Sequence, residues 1–178
     1  MKKQGFTLIE LMVVIVIMGI LAAVAVPKLF GMIAKSKASE VGPAAGTYIK
    51  LQDAYASEAN KVGSWMLIGY IAPGANSASQ TGVSTSFSYA PATIDIDATE
   101  GVAISTYTAA TLVWGARNNT PLNDCPKQDA ADEASDADNW TLKIKDPGNG
   151  NSLVYTATVA DANCKQVTPT FTNITTDK

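Results

Sequence analysis

A long uncharged apolar run near the N-terminus constrains this chain more than any other part of its sequence. Residues 11–27 contain no charged side chain. As a helix, the apolar segment 6–26 would be about 31 Å long at 1.5 Å per residue, which matches the hydrocarbon core of a membrane. A helix that is apolar around its whole circumference must be buried, so we expect this one to lie in lipid or among other helices.

The overall composition argues against catalysis and against nucleic-acid binding. The 178 residues include 13 basic and 16 acidic side chains, a formal net charge of −3, so no basic surface for nucleic acid is expected. Histidine is absent, which excludes Ser-His-Asp and Cys-His nucleophile systems and His-containing zinc sites. No pair of carboxylates stands out by its spacing. We therefore expect a protein that is not an enzyme, with no catalytic residue, cofactor or metal.

The N-terminal layout also fits an ordinary secretory signal peptide. Two lysines precede the apolar run, and residues 23–25 (Ala-Val-Ala) offer a cleavage site after Ala25. Three features favour a retained helix instead: the helical pattern continues past Pro27, the apolar segment 6–26 is long for a signal peptide, and Glu10 lies inside that segment. An ionisable residue in such a segment is costly and is by default a functional candidate. A secreted soluble binding domain, released after Ala25, is one alternative.

The residues around Glu10 resemble the N-terminus of the type IV pilin and pseudopilin family. A short basic leader is followed by the stretch GFTLIE at residues 5–10 and then by the apolar run. The resemblance implies that a prepilin peptidase cuts between Gly5 and Phe6 and N-methylates Phe6, and that the apolar helix is then retained. The five-residue leader and the phenylalanine at the cut resemble the type IVa class.

The resemblance also implies a function and a location. It implies a precursor with a single pass through the inner membrane and its C-terminal domain outside the cytoplasm, which becomes a subunit of a cell-surface filament, or fimbrium. The implied partners are the membrane, copies of the chain itself, the prepilin peptidase and the pilus assembly machinery. Glu10 and Phe6 are the implied assembly residues, with the Glu10 carboxylate pairing with the Phe6 amine of the same or a neighbouring subunit. A type II secretion pseudopilin shares these features and is a second alternative.

The pattern after the apolar run predicts one long helix. Apolar or small residues recur every three or four positions from Phe30 to Val62, which indicates a helical face packed on the rest of the protein. Gly42-Pro43 predicts a break, because an interior proline costs about 3 kcal/mol. Gly19 and Pro27 match positions where the helix of pilins is weakened or kinked.

We expect an α+β, pilin-like fold in which the second half of the helix packs on a C-terminal antiparallel β-sheet. The best hairpin consists of residues 140–145 and 153–159, on either side of an Asp-Pro-Gly-Asn-Gly turn. Residues 101–108 and 111–116 also have strand character. Residues 75–93 are dominated by Ser, Thr, Ala and Gly, which indicates a surface loop. The expected parts are a cleaved leader (1–5), a membrane and filament-core helix (6–27), its amphipathic continuation (28–62) and a β-rich head (63–178).

Two cysteines near the C-terminus favour a structural disulfide over two reduced thiols. Cys125 and Cys164 would close a loop of about 40 residues, which the chain-entropy model values at about 4 kcal/mol. Disulfides persist in oxidising compartments, so the pair also indicates a head outside the cytoplasm.

An acidic stretch between the cysteines leaves two interpretations open. Calcium takes several oxygen ligands, and some pseudopilins bind calcium in this part of the fold, but the spacing is not that of an EF-hand. We therefore expect a solvated acidic loop. Its residues are Asp129, Asp132, Glu133, Asp136 and Asp138.

Overall fold

The computed structural model describes residues 5–78, 81–92 and 99–176. Residues 1–4, which include Lys2 and Lys3 of the expected leader, lie outside these ranges. The described chain is a long N-terminal helical segment packed by its second half against an antiparallel β-sheet. The predicted α+β class, with a protruding apolar half of the helix, is confirmed.

Two successive helices, α1 (Leu8–Ala38) and α2 (Val41–Ala59), make up the helical segment. The interruption falls at Ser39 and Glu40, one turn before Pro43. The reason is that Pro43 has no N–H to donate to the carbonyl group four residues earlier, that of Ser39. Pro43 itself lies in the first turn of α2, where a missing N–H costs little because it would have no partner there. Gly19 and Pro27 lie inside α1, which continues through both.

The end of α2 differs from the sequence expectation. The helix ends at Ala59, whereas the periodicity extended to Val62. Asn60 adopts the left-handed conformation (φ 53°, ψ 34°), and its N–H donates to the Ala56 carbonyl at 2.9 Å. A residue in this conformation terminates a helix, and Asn tolerates it better than most side chains do. The chain then continues as strand β1 (Lys61–Val62).

Within the described residues, the larger sheet contains five antiparallel strands in the order β2-β3-β5-β6-β7. Strand β1 pairs separately with β4 (Val102–Ala103). The predicted hairpin is confirmed as β6 and β7, in a register that pairs Trp140 with Val159 and Lys145 with Val154. The strands of the larger sheet are Gly82–Val83 (β2), Phe87–Pro91 (β3), Thr111–Asn118 (β5), Trp140–Lys145 (β6) and Val154–Val159 (β7).

Two predictions about the head are wrong. The expected surface loop at 75–93 contains β2 and β3, and β3 is a core strand because Phe87 and Tyr89 are fully buried. The abundance of small residues around these two aromatic side chains concealed their packing. The expected strand at 101–108 is only the two-residue β4 followed by a 3₁₀ turn at Ile104–Thr106.

Polar contacts fix how α2 lies on the sheet. The Tyr89 hydroxyl donates to Glu40 Oε1 at 2.6 Å, just before α2 begins. The Tyr155 hydroxyl donates to Asp53 Oδ1 at 2.7 Å, near the other end of the helix. Between them, the Tyr70 hydroxyl donates to the Ala44 carbonyl at 3.2 Å. Because Tyr89 lies on β3 and Tyr155 lies on β7, two of these contacts join the helical segment to the sheet.

Candidate assembly site on the N-terminal helix

Most of α1 has no cover from the rest of the chain. Its only buried residues are Ala34 and Ala38, in a helix that the structure describes from end to end. Large apolar side chains before them are at least two-fifths exposed, from Phe6 (74%) to Ile33 (51%). The segment 8–33 is about 39 Å long by the helix rise. An exposed apolar surface of this size marks an interaction surface.

By length and composition, the exposed helix can cross a membrane. One such helix near an N-terminus is weak support taken alone, because a signal sequence has the same properties. In this chain, the apolar helix also continues into the part that packs against the head. The helix runs beyond Ala25 without interruption until Ala38, where it is already buried against the head. Cleavage after Ala25 would cut through the middle of a continuous helix.

A capping box at the start of α1 holds the Glu10 side chain. Thr7 is the N-cap residue, and its hydroxyl oxygen accepts from the Glu10 N–H at 3.4 Å. In return, Glu10 Oε2 accepts from the Thr7 main-chain N–H at 2.8 Å and from the Thr7 hydroxyl at 2.6 Å. These reciprocal bonds satisfy main-chain donors that the first turn of a helix leaves unpaired.

This geometry leaves half of the Glu10 carboxylate available. Within the described chain, no hydrogen bond to Glu10 Oε1 is found. Among the described residues, the carboxylate is the one charged group along a shallow apolar cleft formed with Phe6, Ile9, Val13 and Val14. While the leader is attached, the Phe6 nitrogen is an uncharged peptide group; cleavage before Phe6 would make it an amine one turn from Glu10. The capping role of Thr7 was not predicted, although its T-x-x-E spacing is the signature of a capping box.

The glycines of the exposed helix lie in open space. Apart from the neighbouring backbone of α1 itself, a side chain added at Gly19 or at Gly31 would meet no described atom within 4 Å. At Gly19, the bare backbone therefore lets another helix approach closely, as small residues do between membrane helices. The weakening or kink expected at Gly19 and Pro27 stays a prediction.

In the head, Cys125 and Cys164 form a disulfide. Cys125 lies in the loop before β6, and Cys164 lies in the short helix α3 (Ala162–Val167) that follows β7. Both are fully buried. The bond therefore brackets the β6–β7 hairpin.

Arg117, which was not among the predicted site residues, organises the acidic stretch. Arg117 on β5 donates from Nε to Asp138 Oδ1 at 2.6 Å. Its Nη2 also donates to the Glu133 carbonyl at 3.2 Å. Asp138 is 1% exposed, so including it in a solvated loop was wrong, whereas Asp129 and Asp136 do face water. Among the residues described, no cluster of three or more Cys, Asp or Glu side chains is placed to hold a metal ion.

An exposed apolar helix continuous with an α+β head defines the chain as pilin-like in architecture. Residues 1–26 match the family described as "Prokaryotic N-terminal methylation motif". The same region contains Gly5, Phe6, Thr7 and Glu10. No solved structure matches the chain.

Curated relatives agree with this motif. The chain is 41% identical to the "Type IV major pilin protein PilA" of Myxococcus xanthus, over 35% of this chain and 31% of the relative. It is 56% identical to the "Type IV major fimbrial protein FimA" of Dichelobacter nodosus, over 22% of this chain and 25% of the relative. It is 54% identical to the "Fimbrial protein EcpC" of Eikenella corrodens, over 25% of this chain and 29% of the relative. The chain thus matches about a third or less of each relative's length, and these matches confirm its resemblance to the type IV pilins.

Proposed function

We propose that this chain is the structural subunit of a type IV pilus-like filament. It is inserted in the inner membrane as a precursor, cleaved between Gly5 and Phe6, N-methylated on Phe6 and polymerised through α1. The head lies outside the cytoplasm and becomes the surface of the filament. Its partners are further copies of itself, the prepilin peptidase and the assembly machinery.

The observation that carries this proposal is the uncovered apolar surface of α1 beside the N-terminal methylation motif. The surface must be covered at every stage, first by lipid and then by the α1 helices of other subunits. Apolar burial is therefore similar before and after assembly, so close packing and charge pairing decide which state is favoured. The open backbone at Gly19 supports close packing, and the Glu10 carboxylate supports charge pairing.

Glu10 is proposed to act as a registry device between subunits. In an apolar filament core an unpaired carboxylate is strongly disfavoured, whereas one paired with a cation is tolerated. After cleavage, the Phe6 amine supplies that cation. Thr7 occupies Oε2 within the same chain, and Oε1 stays available for an amine of a neighbouring subunit. The axial offset between two subunits is then the one at which this pair forms.

The experiment that tests the proposal joins mass spectrometry of the mature N-terminus with electron microscopy of the cell surface. We expect a chain that begins with N-methylated Phe6, and surface filaments that disappear when the gene is deleted. A chain that begins at Val26 would overturn the proposal in favour of a secreted domain. A chain that begins at Phe6 without surface filaments would indicate a secretion pseudopilin.

A further inference from the structure

The C-terminal segment 171–176, here called the strap, lies along the outer edge of β7. The Tyr155 N–H donates to Thr176 Oγ1 at 2.8 Å, and the Ala157 N–H donates to Thr175 Oγ1 at 3.0 Å. The Thr176 N–H donates to the Tyr155 carbonyl at 2.9 Å. Tyr155 and Ala157 are two residues apart on β7, so their main-chain groups face the same edge of the strand, the one away from β6. The strap thus satisfies three main-chain groups that an added strand would use, namely the N–H and carbonyl of Tyr155 and the N–H of Ala157.

Two apolar side chains anchor the strap. Phe171 is 2% exposed, and its ring stacks on that of Trp114 with centroids 6.3 Å apart. Ile174 packs against the same core. Phe171–Ile174 form a 3₁₀ turn, after which Thr175 and Thr176 reach the strand edge. Thr175 is half-buried and Thr176 is exposed, and neither belongs to the buried hydrophobic core.

The hydrogen bonds between the strap and β7 cover the edge of the sheet without adding a strand to it. Two of the bonds use threonine hydroxyls as acceptors, where a true strand would use main-chain carbonyl groups. A sixth strand would cover β7 but would present a new edge of its own. Exposed strand edges are templates for pairing with another chain, and proteins protect them by covering or shortening them.

The opposite edge of the larger sheet is protected in another way. Strand β2 is only two residues long, and residues 73–74 pass directly beside it. A Cβ at Gly74 would collide with the Val83 carbonyl group, and one at Gly82 would collide with that of Pro73. This close passage requires glycine at both positions. The six-residue β7 would therefore be the long open edge of the sheet if the strap were absent.

We propose that the strap is an edge guard that stops the heads of neighbouring copies from pairing through β7. This inference goes beyond the proposed function, because it concerns the head and holds in any assembly that concentrates the chain. Subunits held in a membrane or a filament face each other at high effective concentration. An open β7 edge would then join heads by strand pairing, in competition with association through α1.

The test uses the full chain in detergent and the double variant Thr175→Val/Thr176→Val, which keeps the side-chain shape and removes both hydroxyl acceptors. Thr172→Val is the matched control, since Thr172 lies in the strap and its hydroxyl makes no bond to β7. Amide hydrogen exchange reports on Tyr155 and Ala157, and sedimentation reports on association. At low protein concentration we expect about ten-fold faster exchange of both amides in the double variant, the equivalent of one lost hydrogen bond.

At high concentration the double variant should self-associate, and protection of the two amides should return, while the control behaves as the wild type does. Unchanged exchange would overturn the proposal, and so would faster exchange without association. If the double variant fails to fold, deletion of residues 175–178 replaces it, because that deletion keeps Phe171 and Ile174. Failure of the deletion to fold would show that the strap serves folding, which also overturns the guard role.

Discussion

The guanidinium group of Arg117 and the carboxylate of Asp138 form an ion pair with Nη2 and Oδ1 2.6 Å apart, beneath the acidic loop. The two side chains are 15% and 1% exposed. Asp138 also lies directly over Gly115, where a Cβ would collide with its Oδ2 atom. The pair therefore fastens the loop to a strand position that has no side chain.

Arg117→Met should destabilise the head by about 3 kcal/mol. The reason is that it leaves the buried Asp138 carboxylate without its cation, and breaking one side of a buried pair costs far more than the pair contributes net. Chemical denaturation of the purified protein measures the effect. The double variant Arg117→Met/Asp138→Asn should recover part of the loss, because the uncompensated charge is then gone.

Lys143→Met is the matched control for that variant. Lys143 Nζ pairs with Asp136 Oδ1 at 2.9 Å, but the Asp136 side chain is 72% exposed. An exposed pair of this kind contributes less than about 1 kcal/mol. Equal losses in Arg117→Met and Lys143→Met would contradict the view that burial makes the first pair important.

Asp146 should make stability depend on pH in the acidic range. Hydrogen bonds from main-chain N–H groups, with Gly148 the largest cause and Gly150 and Asn149 adding to it, hold the pKa of Asp146 below its ordinary value of 3.8 against an opposing effect of desolvation. A lowered folded-state pKa stabilises the fold above pH 3.8, and this stabilisation is lost as the pH falls through the folded pKa. The turn itself requires glycine, with φ of 103° at Gly148 and 65° at Gly150.

The comparison of wild type with Asp146→Asn tests this dependence. We expect the wild type to be the more stable at pH 7, and the difference to shrink as the pH falls below about 3.8, because the protonated Asp146 resembles asparagine. Asp132→Asn, at an exposed position, controls for the loss of one negative charge. A difference that stayed constant from pH 7 to pH 2 would exclude the carboxylate as its source.

Removal of the disulfide should destabilise the head by about 4 kcal/mol, the value of the chain-entropy model for a loop of about 40 residues. The double variant Cys125→Ser/Cys164→Ser tests this by chemical denaturation. In the wild type, thiol labelling under denaturing, non-reducing conditions should find no free thiol. Two labelled cysteines in protein from intact cells would refute the bond.

Glu10→Ala should leave a processed, membrane-bound pool and abolish filaments. Glu10→Gln should do the same to filaments, because glutamine can keep the capping box with Thr7 while it loses the charge. Thr7→Val is the complementary control: it removes the hydroxyl and keeps the carboxylate. Immunoblots of membrane fractions and counts of surface filaments give the two readouts. Normal filaments in Glu10→Ala would refute the registry role and leave apolar packing alone to explain assembly.

What the sequence could predict about the head depended on local pattern. The β6–β7 hairpin was visible because alternating strands flank a turn of proline, glycine and asparagine. Strand β3 was not visible, because its two inward aromatic residues are flanked by small polar residues that are also typical of a loop. The Arg117–Asp138 pair joins residues 21 positions apart, and no local pattern marks either as a partner of the other.

The N-terminal segment was determined by the sequence alone. An uncharged apolar run, a single glutamate just before it and a threonine three residues before that glutamate act through helix geometry and transfer free energy, which need no distant partner. Tertiary structure decided the burial of Asp138 and the position of the strap on β7. Each of these depends on contacts between residues far apart in the chain, whose free energies exist only after the sheet and α2 have packed together.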